Sequence, residues 1–213
     1  MCENHEGARH GPAYTTFDEC VRFHGHSCPG LATGYRVATA AMRTLGVMRP
    51  YDEELVCIAE TDACGVDAVQ LVTGCTAGKG NLIIRDYGKH AFTFFSRETG
   101  RAVRVLVRNS GMPGRSAMDD LRRKVFSGTA TPDEAARFRE MMTETTRSLL
   151  SVPEGDLLEI RDVSENPPEN ARIFASVVCE ECGEPVADAR TRVIGGRRVC
   201  IPCSLAQEKS GRA

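Results

Sequence analysis

Two groups of residues in this chain have the types and spacing to bind metal. The first is Cys179-Glu180-Glu181-Cys182, followed after seventeen residues by Cys200-Ile201-Pro202-Cys203. A two-residue gap lets both thiolates of a pair face one ion. The intervening segment can fold back through Gly195-Gly196 and lay the second pair beside the first. Four thiolates give a closed tetrahedral shell, which suits a structural zinc. Spacing alone leaves rubredoxin-like iron, or four unrelated cysteines, as alternatives.

The second group is His24-Gly25-His26-Ser27-Cys28. In an extended chain all three side chains point one way; in a helix His24 and Cys28 still share a face. Either geometry gathers imidazole and thiol ligands suited to a transition metal. Cys28 precedes Pro29, an expected helix start, where the helix dipole would favour the thiolate. The alternative is a glycine-rich turn with solvated histidines. A related stretch runs from Cys64 through Asp67 to Cys75, and an expected strand–helix junction, where binding clefts commonly form, makes Cys64 a candidate for nucleophilic chemistry. Both cysteines could instead be small buried hydrophobes. Gly74–Asn81 resembles a phosphate loop but lacks its glycine spacing and its Ser or Thr, so nucleotide hydrolysis is not indicated. Lys79 there is a candidate for holding an anionic ligand, and Asp67 and Cys75 are candidate cofactor contacts.

The elements that must position these residues follow from periodicity. A helix is expected from Thr15 or Thr16, and another after Pro29-Gly30, with Leu31, Gly34, Val37, Ala38, Ala41 and Leu45 on one face and Gly46 at its end. Strands are expected at 55–61, 81–87 and 157–163, with a short helix over 66–73. A hairpin is expected over 90–108 through Glu98-Thr99-Gly100. Helices are expected at 116–126 and from Thr131 to Leu150. The domain reading is an arm over 1–15, an α+β core over 16–163 with a mixed or antiparallel sheet, a proline-rich linker over 164–176, and a zinc ribbon over 177–208.

The 213 residues, at 41% hydrophobic and 26% charged, suit one full domain and a small appendage. The net charge of −2 argues against a generic nucleic-acid or membrane-surface binder. Arg190, Arg192, Arg197 and Arg198 are interleaved with Glu180, Glu181, Glu184 and Asp188, so nucleic-acid binding through the ribbon is the weakest expectation. No apolar run is long enough to span a bilayer, and the first residues lack a signal-peptide pattern, so the expected location is cytoplasmic. There, ten cysteines suggest metal ligands or reactive thiols more than disulfides.

The stretches Phe-His-Gly-His-Ser-Cys-Pro-Gly-Leu-Ala-Thr-Gly-Tyr-Arg at 23–36, Cys-Gly-Val-Asp-Ala-Val-Gln at 64–70, Thr-Gly-Cys-Thr-Ala-Gly-Lys-Gly-Asn-Leu at 73–82 and Asp86-Tyr87-Gly88-Lys89 together resemble the FmdE family, which takes its name from formylmethanofuran dehydrogenase. The resemblance covers about residues 14–160. It implies an α+β domain that forms a homodimer and a cleft around His24, His26, Cys28, Cys64 and Cys75 able to bind a second metal. It also implies an association with oxidoreductase subunits of a molybdenum or tungsten enzyme. The functional expectation is a metal-binding accessory or regulatory protein. The alternatives are a stand-alone metal- or thiol-dependent enzyme, using Cys28 or Cys64, and a nucleic-acid-binding regulator.

Overall fold

The computed structural model describes residues 15–108, 115–170, 172 and 174–209, with side chains from residue 118 onward in the helix that begins at 115. The arm expected over 1–15 lies, except for Thr15, outside the described residues. The chain divides into two compact units, Met1–Asn170 and Ala171–Ala213.

In the first unit, α1 (Phe17–His24) starts at a capping box. The Thr16 hydroxyl accepts the Glu19 N–H, while Glu19 accepts the Thr16 N–H at 2.6 Å. α2 (Pro29–Leu45) has Cys28 as its N-cap and proline at its start. β1 (Leu55–Ala59), α3 (Gly65–Thr73) and β2 (Leu82–Ile84) form a strand–helix–strand unit whose two strands are parallel. β3 (Ala91–Ser96) and β4 (Ala102–Val107) make the expected hairpin. α4 (Arg115–Phe126), α5 (Pro132–Ser151) and the single turn α6 (Glu154–Leu157) lead into β5 (Leu158–Val163). The sheet order is β2-β1-β3-β4-β5, antiparallel everywhere except at β1–β2. The α+β class with a mixed sheet is therefore the one observed.

Two strands are shorter than their sequence pattern. The expected strand over 81–87 pairs only at Leu82–Ile84. Beyond it the Tyr87 and Lys89 N–H groups both donate to the Glu60 carbonyl, and Asp86 accepts the Gly88 N–H. That side-chain turn bends the chain over the end of β1, which stops at Ala59 instead of Thr61.

The main core lies where α2, α3 and the end of α5 cover one sheet face, with Leu31, Val37, Val69 and Leu149 packed against Cys57, Phe92, Phe94 and Val103. Full burial of each such side chain contributes about 1.5–3 kcal/mol. The other face carries a smaller cluster, Val56, Ile58, Phe95 and Ala102, and a largely buried ion pair between Glu60 and Arg104 at 2.8 Å. α2 and α3 touch backbone to backbone. A Cβ on Gly34 would stand 2.1 Å from the Gly65 carbonyl oxygen, so that crossing admits only glycine.

The second unit contains β6 (Ser176–Val178) paired with β7 (Pro185–Ala187), a 3-10 turn at Asp188–Arg190, and β8 (Thr191–Ile194) paired with β9 (Arg197–Cys200). Gly195 and Gly196, at φ 56° and 79°, form the expected tight turn. α7 (Ile201–Lys209) follows directly, a helix that the sequence pattern did not suggest. Among the described residues the apolar centre of this unit is Cys179, Val199 and Cys200, with Val186, Ile194 and Cys203 partly covered. A centre of that size cannot hold a fold without help from a metal.

Candidate metal centres

The four cysteines of the second unit come from two turns. Cys179 and Cys182 flank the turn between β6 and β7; Cys200 ends β9 and Cys203 lies in the first turn of α7. Their sulfurs all lie within 4.8 Å of one another. Cys182 Sγ and Cys200 Sγ are 3.9 Å apart, close to the roughly 3.8 Å edge of a tetrahedron with metal–sulfur bonds of about 2.3 Å. The Cys200 N–H donates to Cys179 Sγ at 3.2 Å. N–H groups of Cys182 and Cys200 directed at that sulfur hold its thiol down to about 6. Cys203 is pushed the other way by contact with Cys200 and by burial. Four sulfurs this close cannot all ionise unless a cation stands among them, so the donor set fits structural zinc.

The core site begins at the last residue of α1. His24 Nδ1 lies 2.6 Å from Asp67 Oδ2, in the first turn of α3, and its side chain is 11% exposed. With Nδ1–H given to that carboxylate, the Nε2 lone pair faces outward from the contact. It stands 3.9 Å from Cys28 Sγ. His26 lies against His24 with ring centroids 4.6 Å apart. Ligand atoms of His24, His26 and Cys28 lie within 4.8 Å of one another. A tetrahedral metal would set the nitrogen–sulfur edge at about 3.6 Å, so only a small closure separates this arrangement from a coordinating one. Carboxylate-to-imidazole hydrogen bonding is the usual outer support of a metal-bound histidine. The residues fit a transition metal held by two nitrogens and one sulfur, with a coordination position left open.

The expectation of a helix-start thiolate at Cys28 is corrected. The Leu31 N–H does reach Cys28 Sγ at 3.4 Å, but the residue is 5% exposed and burial, the larger effect, pushes its thiol up. Binding of a cation there would favour loss of the proton.

The other residues singled out from sequence take separate places. Cys64 caps α3 beside Cys28 but is exposed, and it is not one of the three gathered ligands. The structure does not bring Cys75 or Lys79 to the cluster. Cys75, fully buried, donates to the Leu55 carbonyl and is pushed up to about 11 by burial. The Lys79 ammonium donates to the Asp52 carbonyl at 2.8 Å, and Asn81 ties the same loop to Asp52 and Leu55. Asp67, expected as a ligand contact, is hydrogen-bonded to His24. Nothing local in the sequence signals that pairing across 43 residues.

Residues 23–159 match the family described as FmdE, Molybdenum formylmethanofuran dehydrogenase operon, and residues 172–209 match the Prokaryotic dksA/traR C4-type zinc finger. A protein of Archaeoglobus fulgidus named as a probable S-adenosyl-L-methionine-binding protein is 35% identical over 189 residues. The match covers 85% of this chain, which spans about half the length of that curated relative. The crystal structure of an FmdE-like protein of the tungsten formylmethanofuran dehydrogenase type, from Syntrophus aciditrophicus, superposes with a TM-score of 0.58 at 26% identity. That match covers 89% of this chain and 92% of the other.

Proposed function

The chain belongs to the FmdE family and is a metal-binding protein with a C4-type zinc finger at its C-terminal end, and on that premise we propose that it serves as an accessory or regulatory protein of a molybdenum or tungsten oxidoreductase. In this reading His24, His26 and Cys28 hold a second metal in the core, while Asp67 fixes the imidazole of His24. The observation that carries the core site is the 2.6 Å contact of His24 with Asp67, which turns Nε2 toward the Cys28 thiol at 3.9 Å. When bound, the metal would supply a Lewis-acidic position open to a ligand from a partner or from solution.

In the finger Arg197 pairs with Glu181 at 2.7 Å and Arg198 with Asp188 at 3.0 Å. Paired charges of both signs support a protein-contact role over phosphate tracking. Oxidoreductase subunits and a second copy of this chain are the partners proposed. Among the described residues no helix is long and apolar enough to cross a membrane.

The open position favours a second reading, a metal-dependent enzyme in its own right. Metal analysis of the full chain after dialysis against zinc, cobalt or nickel tests the site that both readings need. We expect a second metal equivalent beyond the finger's, lost in His24→Ala and Cys28→Ser. The metal-loaded chain should then co-purify with oxidoreductase subunits if the accessory reading holds. S-adenosyl-L-methionine, the ligand in the archaeal relative's name, is titrated in parallel. A single metal equivalent in wild type, under saturating metal, would remove the core site.

A further inference from the structure

Cys64 is the exposed thiol among the described cysteines of the first unit; Cys20, Cys28, Cys57 and Cys75 are buried. It is also the one placed beside a candidate metal ligand. Cys28 and Cys64 sit at the N-terminal ends of α2 and α3, and the Gly34–Gly65 backbone contact clamps those helices together. Both sulfurs border the space beside Gly30. From the position a Cβ on Gly30 would occupy, Cys64 Sγ is 3.9 Å away and Cys28 Sγ 4.0 Å. The same Cβ would press on Cys64 Cβ at 3.2 Å, so glycine at position 30 is what leaves room for the thiols to approach.

One sulfur of this pair is needed by the core metal and the other is open to solvent. We propose that Cys28 and Cys64 form a reversible disulfide that competes with metal binding at the His24–His26–Cys28 site, so that oxidation empties the site and reduction restores it. This rests on the core metal reading above.

The oxidant is a low-molecular-weight disulfide, RSSR. Cys64 attacks one of its sulfurs; the S–S bond breaks and one thiolate, RS⁻, leaves. The metal-bound Cys28 sulfur then attacks the Cys64 sulfur of the mixed disulfide. A second RS⁻ leaves and takes the proton given up by Cys64, and the metal departs as M²⁺ in its original oxidation state. Two electrons have passed from the cysteine pair to RSSR. Two imidazoles remain, a set too small to hold the ion against solvent and thiol competitors. A bound metal, by engaging the Cys28 sulfur, slows the exchange in turn.

The test uses the full chain loaded with zinc and treated with glutathione disulfide. Non-reducing peptide mapping should join the Cys28 and Cys64 peptides, and wild type should lose the core metal. Cys64→Ser should keep the core metal under the same treatment, since it lacks the exposed partner. The finger is identical in both proteins, so the difference in metal content reports the core alone. Dithiothreitol with added zinc should restore the wild-type content. Equal metal loss from wild type and Cys64→Ser, or a core metal that binds and stays while no Cys28–Cys64 peptide forms, overturns the proposal and leaves the metal site standing. A disulfide that forms in a chain whose core never takes metal overturns the metal reading, and with it the competition.

Discussion

Asp67 has a carboxylate hydrogen-bonded to His24 alone among the proposed core ligands, so its contribution can be separated from coordination itself. Outer-shell partners of this kind alter affinity by about 10–100-fold. Asp67→Asn should weaken zinc at the core by that factor in a chelator competition, while circular dichroism stays as in wild type. Glu60 offers a test of a different kind. The Arg104 guanidinium, hydrogen-bonded to it, holds its carboxyl below the ordinary value of 4.5. A carboxyl lowered on folding stabilises the fold fully above its unfolded value, and that contribution disappears as pH falls through the lower folded value. Wild type should therefore lose stability below about pH 4.5 more steeply than Glu60→Gln. At neutral pH the substitution should cost about 2 kcal/mol in urea unfolding, because Arg104 loses the charge of its partner.

At the scale of elements, the crossing of α2 and α3 decides whether the core site exists. Three of its parts arrive on different segments: His24 at the end of α1, Cys28 at the start of α2 and Asp67 in α3. The Gly34–Gly65 contact sets the distance between the last two helices. Gly34→Ala forces backbone apart, and overpacking of this kind costs about 1–3 kcal/mol or more. The expected result is a lower urea midpoint together with weaker core metal binding. A lower midpoint with unaltered metal affinity would show that the crossing supports the fold without positioning the site. These elements were largely legible, since Thr16 with Glu19 and Thr131 with Glu134 mark helix starts by side-chain chemistry alone. The shortened β2 was not, because the turn beyond it depends on Glu60, at the end of another strand, accepting two N–H groups.

For the molecule as a whole, the two units have unlike sources of stability. The first has a large apolar core on one face of a five-stranded sheet and a smaller cluster on the other. The second has a few apolar side chains around four sulfurs. Structural zinc contributes about 10–16 kcal/mol of apparent binding energy in small domains. Removing metal with a strong chelator should therefore abolish amide-exchange protection over 176–209 while 55–107 stays protected. Loss of protection in both units together would show that the sheet also depends on metal.

The sequence alone determined the features that depend on near neighbours: the two-residue cysteine gaps, the helix caps, the β3–β4 turn and the motifs of the family. Two-residue gaps and capping pairs act within one turn of chain, so their geometry is written locally. Only the tertiary structure decided that Asp67 serves His24, that burial overrides the helix dipole at Cys28, that Cys75 belongs to the core and that Cys64 stands open beside Cys28. Each of those outcomes depends on which segments pack together and how much water they exclude. Residue spacing carries neither quantity.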